Sequence, residues 1–125
     1  MGYSTHLSIP NNILKDRINI VITRKELENK DNIYYVNSFD DAIKLSEKII
    51  DNNGEKIFII GGESIYNCFR YSEYYKFLDK VYLTRIYKDF TGNKYFYKLD
   101  DNLKIESSLI SKLHPELEYQ VLSRI

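Results

Sequence analysis

Apolar positions follow two rhythms along this chain. Short runs rich in β-branched residues predict strands: Arg17-Ile18-Asn19-Ile20-Val21-Ile22-Thr23-Arg24, Ile33-Tyr34-Tyr35-Val36, Lys56-Ile57-Phe58-Ile59-Ile60 and Lys80-Val81-Tyr82-Leu83-Thr84-Arg85-Ile86-Tyr87. Residues 103–111 and 117–123 predict two more, meeting near His114-Pro115. A helical rhythm runs through Phe39, Ala42, Ile43, Leu45, Ile49 and Ile50, which share one wide face. Ser38 is the expected N-cap of that helix, carboxylates fill its first turn, and Asn52-Asn53-Gly54 is its expected end. A shorter helix is expected over 3–9, with Ser4 or Thr5 near its start and Pro10 as its stop. Strands alternate with helices over 18–66 and are then followed by strands only. That order predicts an α/β fold, a mixed sheet with helices on its faces.

The stretch from Lys56 to Tyr66 is the first to suggest chemistry. Four consecutive apolar residues read as a strand buried on both faces, and the Gly61-Gly62 pair breaks it. Glu63 and Ser64 then suit the first turn of a helix, with Ile65 and Phe69 as an i, i+4 apolar pair. Strand, glycine turn and helix together aim backbone N–H groups at an anion. Glycine also lets a bulky ligand approach the main chain. Taken alone, the stretch also fits an ordinary strand-to-helix turn.

Composition narrows the field. The 125 residues are 43% hydrophobic, enough for one domain with a core, and 18 basic side chains balance 18 acidic ones. A net charge of zero with dispersed basic clusters argues against nucleic acid or an anionic membrane as partner. No apolar run approaches the ~20 residues that span a bilayer, and the amino terminus has no secretory pattern. Gly2 follows Met1, but the Ser/Thr spacing of a myristoylation site is not met. Cys68, the single cysteine, rules out a disulfide framework and is expected to be a small buried hydrophobe. His6 and His114 are far apart in sequence, so no metal site is expected. The expected setting is reducing and cytoplasmic.

Four segments, in order, carry a family resemblance. Ser8-Ile9-Pro10, with Leu14 and Arg17 to Arg24, is similar to a loop and strand that touch folate and then its cofactor. Ser38-Phe39-Asp40-Asp41-Ala42-Ile43 is similar to a helix start beside that cofactor, and Ile57 to Tyr66 to a Gly-Gly cofactor turn. Val81-Tyr82-Leu83-Thr84-Arg85-Ile86, with Phe90 and Gly92-Asn93-Lys94-Tyr95-Phe96, is similar to the strand and acidic-aromatic segment that follow. Together they resemble dihydrofolate reductase, nearer its eukaryotic form, across almost the whole chain.

The resemblance implies a dihydrofolate reductase-like mixed, mostly parallel sheet flanked by helices, forming one partial domain over 1–125. It implies NADPH-dependent reduction of 7,8-dihydrofolate. On the substrate side it implies Ser8, Ile9, Leu14, Arg17, Ile60, Tyr66 and Thr84. Arg17 would pair with the folate glutamate, Leu14 and Ile9 would pack on its aromatic middle, and Thr84 would serve the pterin side. On the cofactor side it implies Thr5, Thr23, Arg24, Ser38, Gly61, Gly62, Glu63, Ser64, Ile65 and Tyr66. Of these, Gly61 to Tyr66 and Thr5 would take the phosphates, and Thr23 and Arg24 the 2′-phosphate. Read from the residues alone, Arg17 and Arg24 are solvated charges at strand ends.

Met1-Gly2-Tyr3-Ser4-Thr5 matches an internal family segment that usually reads Met-Gly-basic-basic-Thr. The first strand, a mobile loop and the helix with the active-site carboxylate are therefore expected to be missing. No residue here is carried over as the catalytic acid, and the chain alone is expected to be inactive. Tyr3 and Ser4 replace the basic pair, and Asn93 stands where Asp is common. The missing strand would leave apolar edges at 57–60 and 80–87. An upstream segment, a second chain or a gene remnant would each explain such a chain, and a non-catalytic nucleotide-binding module is the alternative function. Lys112-Leu113-His114-Pro115-Glu116 with Tyr119-Gln120-Val121-Leu122 also resembles the start of a fused thymidylate synthase domain. A last strand over 117–125 is the preferred reading.

Overall fold

The computed structural model describes residues 1–50 and 55–125, and the chain divides into two compact units, Met1–Ser72 and Glu73–Ile125. The first is built on two parallel strands, β1 (Asn19–Ile22) and β2 (Ile33–Val36), with Asn19 opposite Ile33 and Ile22 opposite Val36. Helix α2 (Phe39–Ile50) packs on both strands and buries Ala42, Ile43 and Ser46. Val21, a β-branched residue suited to a strand, has no exposed surface. The Ser38 hydroxyl accepts the Asp41 N–H at 3.0 Å, the N-cap expected from sequence. The first residues of the chain extend the sheet: Gly2 bridges Ile22 in parallel, and the Ile22 N–H donates to the Met1 carbonyl at 2.8 Å.

Two helices complete this unit: α1 (Tyr3–Ser8), with Gly2 as its N-cap, and α3 (Glu63–Arg70), whose Phe69 ring lies 6.2 Å from that of Phe39. Left-handed backbone falls on Asn11, Asn12, Asp16 and Asn32, the residue types that tolerate it.

The second unit opens with a 3₁₀ turn (Glu73–Phe77) and continues as an antiparallel sheet. Its strands are β3 (Lys80–Ile86), β4 (Leu103–Ile110) and β5 (Leu117–Arg124), in the order β3-β5-β4. Lys80 faces Ser123 and Ile86 faces Leu117, while β4 shifts register between Ile105 and Ser107. Tyr75 is held by its phenol to Asp100 at 2.7 Å, and its carbonyl receives the Arg124 guanidinium.

Several expectations change. Five of the six predicted strands form: 17–24 shortens to 19–22, 80–87 and 103–111 each lose their last residue, 33–36 is as expected, and 117–123 gains Arg124. The sixth, over 56–60, is not a strand among the described residues. A strand is defined by its neighbour, and here Ile57 and Phe58 are 42% and 62% exposed. In place of one mostly parallel sheet there is a parallel pair and an antiparallel triplet. Cys68 is exposed, because it lies one helical turn after exposed Ser64 and shares that open stripe of α3. The expected stop at Asn52-Asn53-Gly54 lies outside the described residues.

Candidate functional site

The glycine turn organises the first unit. Gly61 is buried with φ +103°, and a Cβ there would stand 2.9 Å from Cε2 of Tyr66. Only glycine fits both the angle and the space. The Gly61–Gly62 peptide is cis. Gly62 is the N-cap of α3, and its carbonyl accepts the Tyr66 N–H at 2.9 Å. Because it has no side chain, it offers no oxygen to the first-turn N–H groups. The turn is clasped from the other side: Gly2 donates to the Gly61 carbonyl at 2.8 Å, and Ile65 packs beneath Gly2. The same contact brings Thr5 on α1 close, with its hydroxyl oxygen 3.7 Å from where a Gly62 Cβ would be. Burial raises the Tyr66 phenol above its ordinary pKa, so it stays a neutral wall of the turn at physiological pH.

Two clefts adjoin these elements. One, of about 900 Å³, is lined by Leu14, Arg17, Ile20, Phe39, Ile43 and Ile60 among others. Leu14 and Arg17 reach it through Asn19. This residue is 2% exposed, and its side chain accepts the Leu14 N–H (2.9 Å) and donates to the Leu14 and Arg17 carbonyls (2.9 and 3.0 Å). The Arg17 side chain is exposed and donates from Nε to the Lys15 carbonyl at 3.0 Å. The second cleft, of about 780 Å³, is lined by Thr23, Arg24, Lys25, Tyr35, Asn37 and Asp41 among others. Glu26 and Glu28 line it too, so its two cations share the space with three carboxylates.

The structure thus brings together Thr5, Gly61, Gly62, Ile65 and Tyr66 at the turn, with Glu63 and Ser64 opening α3. It places Leu14, Arg17 and Ile60 on one cleft and Thr23 and Arg24 on the other. Ser8 is exposed, its hydroxyl donating to the Thr5 carbonyl at 2.7 Å, and Ile9 is the C-cap of α1. Ser38 caps α2. Thr84 belongs to the second unit, exposed on β3 opposite Tyr119. Sequence reasoning passed over Asn19, Tyr35 and Lys25. An amide inside the β-branched run Ile18-Asn19-Ile20 is a polar group that must find partners, and it was the available signal.

The class defined by this geometry is an α/β protein whose glycine turn feeds a helix N-terminus beside two clefts. Comparison with known sequences places it more closely: the model of the family described as dihydrofolate reductase matches residues 1–118. The chain belongs to the dihydrofolate reductase family. It is 36% identical over 105 residues to the viral dihydrofolate reductase of Saimiriine herpesvirus 2 (strain 488), covering 80% of this chain and 47% of that protein. Against the dihydrofolate reductase of Sus scrofa it is 35% identical over 109 residues, 80% of this chain and 54% of the relative. A bifunctional dihydrofolate reductase-thymidylate synthase of Acanthamoeba polyphaga mimivirus is 33% identical over 106 residues, 83% of this chain and 17% of that protein. The chain spans about half the length of the first two relatives. No helix among the described residues is long and apolar enough to cross a membrane.

Proposed function

We propose that this chain supplies the cofactor half of a dihydrofolate reductase, binding NADPH at the Gly61–Gly62 turn and dihydrofolate along the cleft beside Arg17. The observation that carries the reading is the turn itself. A positive-φ glycine walled by Tyr66 opens on α3 with Thr5 beside it, in a chain that matches the family over 1–118. These residues fit a dinucleotide: a bare backbone and a helix N-terminus suit the pyrophosphate, while Thr23 and Arg24 are available to a 2′-phosphate. When bound, NADPH supplies the hydride. Arg17 pairs with the folate carboxylate, Leu14 and Ile60 exclude water from its ring system, and Thr84 serves the pterin end.

Reduction also needs a proton, and none of the 125 residues is assigned to deliver it. We therefore read the chain by itself as a binding module without turnover. Full activity would need polypeptide beyond these residues, in the same protein or a second chain, that covers Ile57 and Phe58 and brings a carboxylic acid. In this reading residues 1–125 are parts of one domain.

Calorimetry with NADPH, NADH and dihydrofolate tests the binding, and a spectrophotometric assay of NADPH oxidation tests the inactivity. Expected are NADPH binding tighter than NADH, folate binding weakened about 10- to 100-fold by Arg17→Ala, and no turnover. Turnover by the chain alone would overturn the inactivity. Dinucleotide binding without folate binding would instead favour a non-catalytic nucleotide module, and failure to obtain a folded species a gene remnant.

A further inference from the structure

We propose that His6 is a positioning residue of the phosphate cradle: while neutral it latches α1 to β2 through Tyr35 and keeps Thr5 beside Gly62, and acidification releases the latch. This rests on reading the Gly61–Gly62 turn as a dinucleotide cradle.

His6 is 3% exposed, yet its ring is not simply packed. Nε2 lies 3.1 Å from the Tyr35 hydroxyl, and among the described residues nothing partners the buried Nδ1. The Tyr35 ring meets it edge-on at 5.6 Å, and the Tyr3 ring lies at 6.0 Å. A buried imidazole with one nitrogen satisfied is tolerable when neutral. Protonation adds a charge and an N–H for which the site provides no acceptor.

The surrounding groups make this worse. Facing the ring are the phenols of Tyr3 on its own helix and Tyr35 on β2. The charges that act on it are Lys30 from the 23–32 loop and the Met1 amino group, both positive. The Tyr3 ring in turn carries the Lys25 ammonium, 4.6 Å from its centroid. Burial first, then Lys30 and the amino group, hold the imidazole below its ordinary pKa of 6.5. A histidine depressed in the folded state stabilises fully above its unfolded pKa, and that contribution is lost as pH falls toward the folded value.

Geometry links the latch to ligand binding on both sides. One residue before His6, Thr5 stands over Gly62. Tyr35 lines the cleft that holds Thr23 and Arg24, and its N–H donates to the Asn29 side chain in the adjoining loop at 2.9 Å.

The test uses the full chain carrying His114→Gln, which leaves His6 as the one imidazole, followed by NMR from pH 8 to 5. The His6 ring is expected to titrate below 6.5, with the amides of Tyr3–Ser8 moving at the same midpoint. In parallel, NAD⁺ affinity is measured, since this probe lacks the 2′-phosphate that itself titrates near pH ~6. Its Kd is expected to rise about tenfold between pH 7.5 and 5, and by less than about twofold in His6→Phe. Tyr35→Phe keeps the ring and removes the hydroxyl; it is expected to lower amide protection of α1 at pH 7.5, a readout that survives if His6→Phe does not fold. A ring midpoint at or above 6.5, α1 amides indifferent to it, or an unchanged pH dependence in His6→Phe would each overturn the latch. Absence of both NAD⁺ and NADP⁺ binding at pH 7.5 would overturn the cradle reading instead, while the NMR arm still judges the latch.

Discussion

The two units of this chain are held together by different means. In the first, α2 lies on a parallel pair and Val21, Ile33, Ala42 and Ile43 are buried, with Ile65 of α3 buried as well. In the second, Leu122 is the buried apolar residue, while Tyr82, Ile105, Leu109 and Ile110 along the strands stay more than half exposed. Its order comes from two antiparallel ladders, one of them with a register shift in β4, and from side-chain chains across them. Tyr87 donates to Glu118 at 2.8 Å, Gln120 donates to the same carboxylate, and Arg85 donates to Gln120. The lesson is that one unit is specified by burial, which carries a large free energy per side chain. The other is specified by register, which many surface changes leave intact.

Substitutions can break or sharpen that contrast. The largest effect is expected from Gly61→Ala, which forces a Cβ into Tyr66 at a backbone angle hostile to L residues. A loss of about 3 kcal/mol or more in thermal or denaturant unfolding is expected, together with dinucleotide affinity. Asn19→Ala follows, at about 2–3 kcal/mol, because Leu14 and Arg17 lose their shared brace. Folate affinity should fall with it, since Arg17 loses its anchor. Val21→Ala should cost about 2 kcal/mol as two methyl groups leave a sealed core. The smallest change is expected from Leu109→Ala on the open sheet, within about 0.5 kcal/mol. If Leu109→Ala proved as damaging as Val21→Ala, the division into burial and register would fail.

Much of this was legible in the sequence where local and global preferences agree. The β-branched runs at 19–22 and 80–86 became strands, and the Ser38 cap and the α2 face formed as patterned. The glycine turn was legible through its neighbours: the Gly pair alone fits an ordinary strand-to-helix turn, and the flanking segments in family order gave it meaning. The run at 56–60 misled because composition records β preference but not whether a neighbour is at hand. Cys68 misled because a helix of eight residues has an exposed side as well as a buried one. His6 showed only that it lacks metal-ligand companions, for a third reason: a lone histidine carries no spacing signal, and its meaning depends on Tyr35, 29 residues away.

The amide of Asn19 has a consequence for assembly as well as for shape. It occupies a buried position of β1, and its side-chain partners among the described residues are in the turn from Leu14 to Arg17. A slip of one residue would point that amide away from the turn and strand it among hydrocarbon. The residue thus works as a proofreading key, making the wrong alignment of the first two strands costly before any ligand arrives to select the right one.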